Sequence, residues 1–354
     1  MSIYFLIFFV ITIFCIFDID DQIDKLFVFW AICVGLIFLA GFRPAEASTD
    51  YVNYLEFFRE IKPGLTFYEK GSFSEPFYNF IPAFIKFLGI NVIYAFLVYA
   101  ILGVTFKGIA IIKLTPLIFL SLLIYYSNFF LLHEMTQIRI GVAIGLYLIG
   151  VPFIITKNIF KFSIIMLLAV CFHFSAILLW LTYFMNHNTF SRKKYITIIG
   201  IALPLTLLKL DLLSFLRFLP LGVFAEKIDF YYGAMQTGAF TTEINVFNIV
   251  TLINILVCLI FIWKIELFQA RFRYSILFVK MYILSLIIFM LLSFMPPLAF
   301  RFRELFEVVQ IILLPQLFFL FKEKLVGRLI VISLASLLFY MNVVHVSLVG
   351  PYFK

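Results

Sequence analysis

The chain has 354 residues, 64% of them hydrophobic and 13% charged, with a formal net charge of +8. Soluble domains run about 45–50% apolar and about 25% charged, so this composition excludes a water-soluble protein and predicts an all-α, polytopic membrane protein. No hydrophilic stretch exceeds roughly 35 residues, too few for a separate soluble catalytic domain of ordinary size, and residues 1–354 read as a single integral membrane domain.

Met1 to Phe17 has neither the basic n-region nor the small-residue cleavage site of a secretory signal, so it is expected to be a retained first span. Further apolar runs lie at about 26–40, 91–112, 116–132, 138–155, 195–208, 245–263, 275–294, 304–321 and 329–349. Several are shorter than the ~20 residues a straight span prefers. Two more segments, 76–90 and 162–185, decide the topology, because basic residues favour short cytoplasmic loops. Lys107 and Lys113, Lys157 and Lys161, Arg192-Lys193-Lys194, Lys264 with Arg271 and Arg273, and Lys322, Lys324 and Arg328 should therefore share the inner side. They do so if 76–90, which carries Pro76, Pro82 and Lys86, lies at the interface. They also require 162–185 to enter and leave by one face, as two half-helices meeting near Phe172-His173-Phe174-Ser175. Each half, at about 12 residues, is roughly 18 Å long and does not cross. The result is about 10–12 transmembrane or re-entrant helices, with loops 41–75, 133–139, 209–244 and 295–303 on the outer face.

On this reading the +8 charge belongs to membrane topology, and no nucleic-acid partner follows from it. Cys15, Cys33, Cys171 and Cys258 sit in apolar runs with no CxxC spacing, which points to small buried side chains and to no disulfide or metal site. The 49 Phe against 16 Gly predict packing by bulky side chains more than by small-residue contacts.

Against this apolar background the polar residues stand out. Gly41-Phe42-Arg43 follows directly on an apolar span, which sets Arg43 at a membrane boundary, and Asp50, Tyr51 and Tyr54 come soon after. The two tyrosines share a face if the segment is helical. A cation, a carboxylate and phenols there suit an anionic headgroup bearing sugars; the plain alternative is a loop whose Arg snorkels to the interface. Gln137 and Arg139 open a helix, and His173 is a lone imidazole with apolar residues on both sides. Arg301, Arg303 and Glu304 begin a helix after Pro296-Pro297, where Arg301 and Glu304 are spaced to pair. A charge at membrane depth costs about 2.5–3.5 kcal/mol on insertion scales and so calls for a role. Arg139 as a snorkelling residue and His173 as a satisfied core histidine remain the alternatives.

In order and spacing these residues resemble the EpsG family of Wzy-like bacterial polysaccharide polymerases. The resemblance rests on Gly41-Phe42-Arg43, Thr49-Asp50-Tyr51 with Tyr54, Glu75-Pro76, Gln137-Ile138-Arg139 with Ala143, Phe172-His173-Phe174-Ser175-Ala176 and the Arg301 cluster. It runs from about residue 36 to 320. Each motif is short, and their succession in one polytopic chain carries the signal. Pro44 and its Ala-rich surroundings depart from the family's usual pattern, and 209–244 matches nothing in it.

The resemblance implies a GT-C-like glycosyltransferase in the bacterial cytoplasmic (inner) membrane, with its active site facing the periplasm or cell exterior. It implies polymerisation of oligosaccharide repeat units carried on undecaprenyl diphosphate, with no cofactor and no metal, and a chain-length regulator as a partner besides the lipid bilayer. Arg43, Arg139, Arg301 and Arg303 would hold the diphosphate by bidentate contacts. Tyr51, Tyr54, Glu75, Gln137, Tyr231 and Tyr232 would bind sugars. The acceptor hydroxyl needs a base, either Asp50 or His173, with Asp50 preferred because it lies in the watery loop beside Tyr51 and Tyr54. A lipid-linked glycan ligase, a flippase or transporter, and an acyltransferase are the rival readings. A transporter predicts internal repeats, and none is visible.

Overall fold

The computed structural model describes residues 2–17, 19–68, 74–208, 229, 233 and 245–353. Tyr231, Tyr232 and nearly all of the 209–244 loop lie outside the described residues. Among those described, every regular element is helical, the fold class that composition predicts. Four helices are long and apolar enough to cross a bilayer: Gln22–Gly41, Val92–Leu114, Ile138–Ile155 and Lys324–His345. Ile249–Trp263 with Ile265–Arg271, bent by 72° at their junction, makes a fifth, and six shorter apolar helices accompany them. This is the helix inventory of a multi-pass membrane protein. The chain divides into two compact units, Met1–Phe184 with Gln310–Lys354, and Met185–Val309.

The first unit opens with α1 (Ser2–Ile16) and α2 (Gln22–Gly41). Asp21 caps α2, its carboxylate accepting from the amides of Ile23 and Asp24, which satisfies two donors that a helix start leaves open. There follow α3 (Tyr51–Glu60), α4 (Pro76–Phe87), α5 (Ala95–Leu114) and α6 (Ile118–Ile124). The last runs on as a π-helix over Tyr125–Glu134. Then come α7 (Ile138–Ile155) and α8 (Ile159–Phe172), with a 3₁₀ segment over Phe174–Phe184. α5 packs between α2 and α7, and α7 packs on α8. α7 is apolar and buried nearly all round, as a helix at the centre of a bundle must be. Gly41 permits the approach of α2 to α5: a Cβ there would stand 2.6 Å from Leu97 Cδ1 and 3.0 Å from its Cα.

The second unit holds α9 (Arg192–Leu207), α10 (Ile249–Trp263), α11 (Ile265–Arg271), α12 (Ser275–Leu291) and α13 (Pro296–Glu307). Ser191 and Asn248 cap α9 and α10. α12 is its central element, touching α9, α10 and α13. The Tyr282 hydroxyl ties α12 to α10 by donating to Asn254 Oδ1 at 2.6 Å. The chain rejoins the first unit at α14 (Gln310–Leu313), turns through 3₁₀ geometry over Leu314–Leu320, and ends in α15 (Lys324–Tyr340), which packs on α1 and α6.

Two expectations change. Lys107, taken as one of the cations marking the inner side, lies inside α5, fully buried, with Nζ 2.5 Å from Glu134 Oε1 and 2.6 Å from the Gly141 carbonyl. α5 has no breaker before Thr115, so it carries Lys107 inward, and Glu134 on the π-helix supplies the compensating charge. The run 304–321 is not one helix. α13 starts earlier, at Pro296, and the remainder continues as α14 and the 3₁₀ turn, where Pro315 lacks the N–H a continuing helix needs. Arg43 stands two residues past the end of α2, as the apolar run predicts, and is 3% exposed.

Neither of the two topology-deciding segments forms one unbroken helix of membrane-spanning length. α4 is a 12-residue helix with Pro76 in its first turn and Pro82 inside it. The 162–185 segment breaks at His173, which adopts extended geometry (φ −155°, ψ 118°) between α8 and the 3₁₀ segment, and the two halves pack on each other.

Candidate functional site

Glu75 occupies the N-cap position of α4, yet its side chain makes no capping bond. Its two oxygens are turned elsewhere. Oε2 accepts from Arg139 Nη1 at 2.5 Å, and Oε1 lies 3.0 Å from His173 Nδ1 and accepts from the Phe174 amide at 3.4 Å. Three residues far apart in sequence thus meet around one carboxylate. Each element contributes through its end: the N-cap of α4, the first turn of α7 and the break after α8. Backbone there is not committed to a helical ladder, so side chains can be aimed at one another.

The carboxylate is buried, with a side chain 5% exposed, whereas Arg139 and His173 are 27% and 21% exposed. Burial by itself raises the Glu75 pKa. The hydrogen bond with His173 and the charge of Arg139 overcome that and hold it at about 2, against an ordinary 4.5. Glu75 is therefore ionised throughout the physiological range. An anionic partner at Nδ1 keeps the proton on that nitrogen and leaves Nε2 as the basic atom of the neutral ring.

Aromatic rings enclose the arginine. The Arg139 guanidinium carbon lies 4.2 Å from the Tyr78 ring centroid and 5.8 Å from that of Tyr54. Tyr54 and Tyr78 meet edge to face at 5.9 Å, and Phe57 stacks on Tyr78 at 4.0 Å. Asp50 is half-buried at the N-cap of α3, one turn before Tyr54 on the same helix.

The Arg43 guanidinium sits 4.6 Å from the Phe96 centroid and 5.8 Å from that of Tyr51, and Nη1 donates to the Ala40 carbonyl at 2.5 Å. Nε and Nη2 are buried without a hydrogen-bond partner. Burial lowers its pKa to about 10, so it stays charged at neutral pH. Tyr51 and Tyr54 do share a face of α3, and both are buried: Tyr51 stacks on Phe96 at 4.5 Å, while Tyr54 faces Arg139. Both arginines thus lie along the one face of α3 that carries Tyr51 and Tyr54.

Of the residues singled out in the sequence, Tyr54, Glu75, Arg139 and His173 form one cluster, with Asp50 at the start of the helix that carries Tyr54 and with Arg43 against Tyr51 on the same helix. Gln137 is the N-cap residue of α7, two positions before Arg139. Arg301 and Arg303 belong to the second unit, on α13. Arg303 makes a two-pronged pair with Glu307, at 2.8 Å from Nε to Oε2 and 2.7 Å from Nη2 to Oε1, while its guanidinium lies 4.6 Å from the Phe289 centroid. Arg301 acts electrostatically on Glu304, as their spacing predicts. Tyr231 and Tyr232 fall outside the described residues.

Two features escaped the sequence reading. Tyr78, one turn after Glu75, provides the ring nearest Arg139; the i, i+3 spacing from the N-cap was its only signal. The buried pair Lys107–Glu134 was concealed because Lys107 imitates a topology marker. Beside that pair, His133 is fully buried with neither ring nitrogen bonded.

A family model described as the EpsG family matches residues 26–353, and the chain belongs to that family. Among curated proteins, "Amylovoran biosynthesis protein AmsC" of Erwinia amylovora is 24% identical over 172 residues, a stretch covering 45% of this chain and 46% of that protein. The match thus spans about half the length of that relative. No solved structure matches the chain.

Proposed function

We propose that this member of the EpsG family is a polysaccharide polymerase-type glycosyltransferase. It joins oligosaccharide repeat units carried on undecaprenyl diphosphate, at the outer face of the bacterial cytoplasmic membrane. Family membership over nearly the whole chain supports the polysaccharide role, as does the likeness to a protein named for amylovoran biosynthesis. The observation that carries the chemistry is the Glu75 bridge, which sets a partly exposed guanidinium and a partly exposed imidazole on one carboxylate.

In this reading the acceptor hydroxyl oxygen attacks the anomeric carbon of the donor sugar. The bond from that carbon to the lipid diphosphate breaks, and its electron pair leaves on the diphosphate. The hydroxyl proton passes to His173 Nε2, the basic nitrogen when Nδ1–H is held by Glu75. Arg139 steadies the departing diphosphate, and Tyr54 and Tyr78 present aromatic surface beside it. His173 is therefore preferred to Asp50 as the base, because a positioned partner fixes its ring. Asp50, one turn before Tyr54, orients the acceptor.

The test is reconstitution with lipid-linked repeat units and separation of the products by size. Wild type should give a ladder. His173→Gln and Arg139→Ala should leave single units unextended, while Asp50→Asn should retain measurable extension. A normal ladder from His173→Gln, together with a dead Asp50→Asn, would assign the base to Asp50. A normal ladder from Arg139→Ala would remove the proposed clamp.

A further inference from the structure

The second unit contains a cavity of about 500 Å³ between α9, α12 and the segment joining residue 185 to Ser191. That volume is within the range of about 300–1,000 Å³ typical of small-ligand sites. Its lining is divided. Along α9 the lining passes from Lys194 to Ile198 and along α12 from Lys280 to Ile283, Leu284 and Ile287, with Thr189 and Ser191 at the lysine end.

Lys280 is the unusual member. It projects from the apolar helix α12 and is 9% exposed, and its ammonium donates to the carbonyls of Asn186 and, at 2.7 Å, of Thr189. No carboxylate pairs with it among the described residues. Two carbonyl bonds do not neutralise a buried cation, and an ammonium with neither counter-charge nor full solvation is costly. Lys194, exposed at the same cavity, adds a second positive charge, and Arg192 and Lys193 adjoin it in sequence. Arg192 is already committed to Glu266, so the charge remaining at the cavity belongs to the lysines.

We propose that this cavity binds an anionic glycerophospholipid, its phosphate between Lys194 and Lys280 and an acyl chain along Ile198, Ile283, Leu284 and Ile287. Charge complementarity selects the headgroup, and the apolar wall requires a ligand with a hydrocarbon portion. A zwitterionic lipid offers no net charge to the pair of lysines. By the positive-inside rule the basic segment Arg192-Lys193-Lys194, with Lys264, Arg271 and Arg273 in the same unit, belongs on the cytoplasmic side, where anionic lipids meet juxtamembrane basic residues. The site is separate in composition from the Glu75 cluster and does not depend on the polymerase reading.

Native mass spectrometry of the full-length protein in neutral detergent tests this, with dioleoyl-phosphatidylglycerol and dioleoyl-phosphatidylcholine titrated separately and inorganic phosphate as a competitor. Wild type should bind phosphatidylglycerol in preference to phosphatidylcholine and should keep it when phosphate is added. Lys194→Gln alters an exposed side chain, so it should fold normally; it should weaken phosphatidylglycerol binding by about fivefold, the worth of one lysine at an anionic surface, and leave phosphatidylcholine unchanged. Leu284→Trp, which fills the apolar half, should lose the preferred phosphatidylglycerol while keeping the wild-type melting temperature. Equal retention of the two lipids by wild type would overturn the proposal, as would an unchanged Lys194→Gln. Displacement of the lipid by inorganic phosphate would also overturn it, by reducing the site to one for a free anion.

Discussion

Replacing Glu75 by glutamine removes one negative charge from between Arg139 and His173 while nearly preserving shape. The depression of its pKa from 4.5 to about 2 measures what the ionised carboxylate gains in the folded protein. At about 1.4 kcal/mol per unit, that gain is about 3 kcal/mol, and with the side chain 5% exposed little of it is screened by solvent. The folded pKa is depressed, so this stability is present above pH 4.5 and disappears as pH falls through about 2. Glu75→Gln should therefore melt lower than wild type at neutral pH, by roughly 6–12 °C on the scale of about 2–4 °C per kcal/mol for units of this size. It should also lack the part of the acid destabilisation that wild type shows between pH 4.5 and 2, so that the two curves converge in acid. Thermal unfolding in detergent, followed by fluorescence-detected size exclusion across that pH range, reads both effects. Product analysis at neutral pH should show a loss of extension, since the amide no longer holds the Nδ1 proton with a charge. Equal melting at neutral pH with parallel acid limbs would refute the ionised bridge and the mechanism built on it.

Other outcomes follow from the same geometry. Lys107→Met strands Glu134 as a buried, unpaired carboxylate and should cost about 3–5 kcal/mol, while adding Glu134→Gln should restore most of the loss; a single variant as stable as the double would refute the pairing. Arg139→Lys should recover only part of the extension lost in Arg139→Ala, because a point charge cannot bond Glu75 and a phosphate oxygen with the same fork; a full ladder would show that charge alone suffices. Gly41→Val should melt lower by the equivalent of about 1–3 kcal/mol, since its Cβ meets Leu97 backbone as well as side chain, and an unchanged melting temperature would mean that α2 and α5 do not close there.

Membrane residence, the all-helical class and most helix positions were legible in the sequence, because apolar length and the absence of breakers act locally. Ile138–Ile155 appears with the bounds its apolar run has. The break at His173 was legible as well, since two half-helices on one apolar stretch must meet somewhere. The short motifs also identified most of the cluster: Tyr54, Glu75, Arg139 and His173 are all conspicuous as polar residues in an apolar chain. What sequence could not supply was their partnership. Glu75 reads as one more sugar ligand until Arg139 and His173, 64 and 98 residues away, are brought to its two oxygens. Lys107 reads as a marker of the inner side until Glu134 is found opposite it. That Arg43 packs against Phe96 and Tyr51 could not be read from its place after an apolar run. Hydropathy assigns a residue to a helix or its end, one position at a time. Whether a charge there is solvated, paired or left to meet a ligand depends on what a distant segment places within a few ångströms, and only tertiary packing decides that.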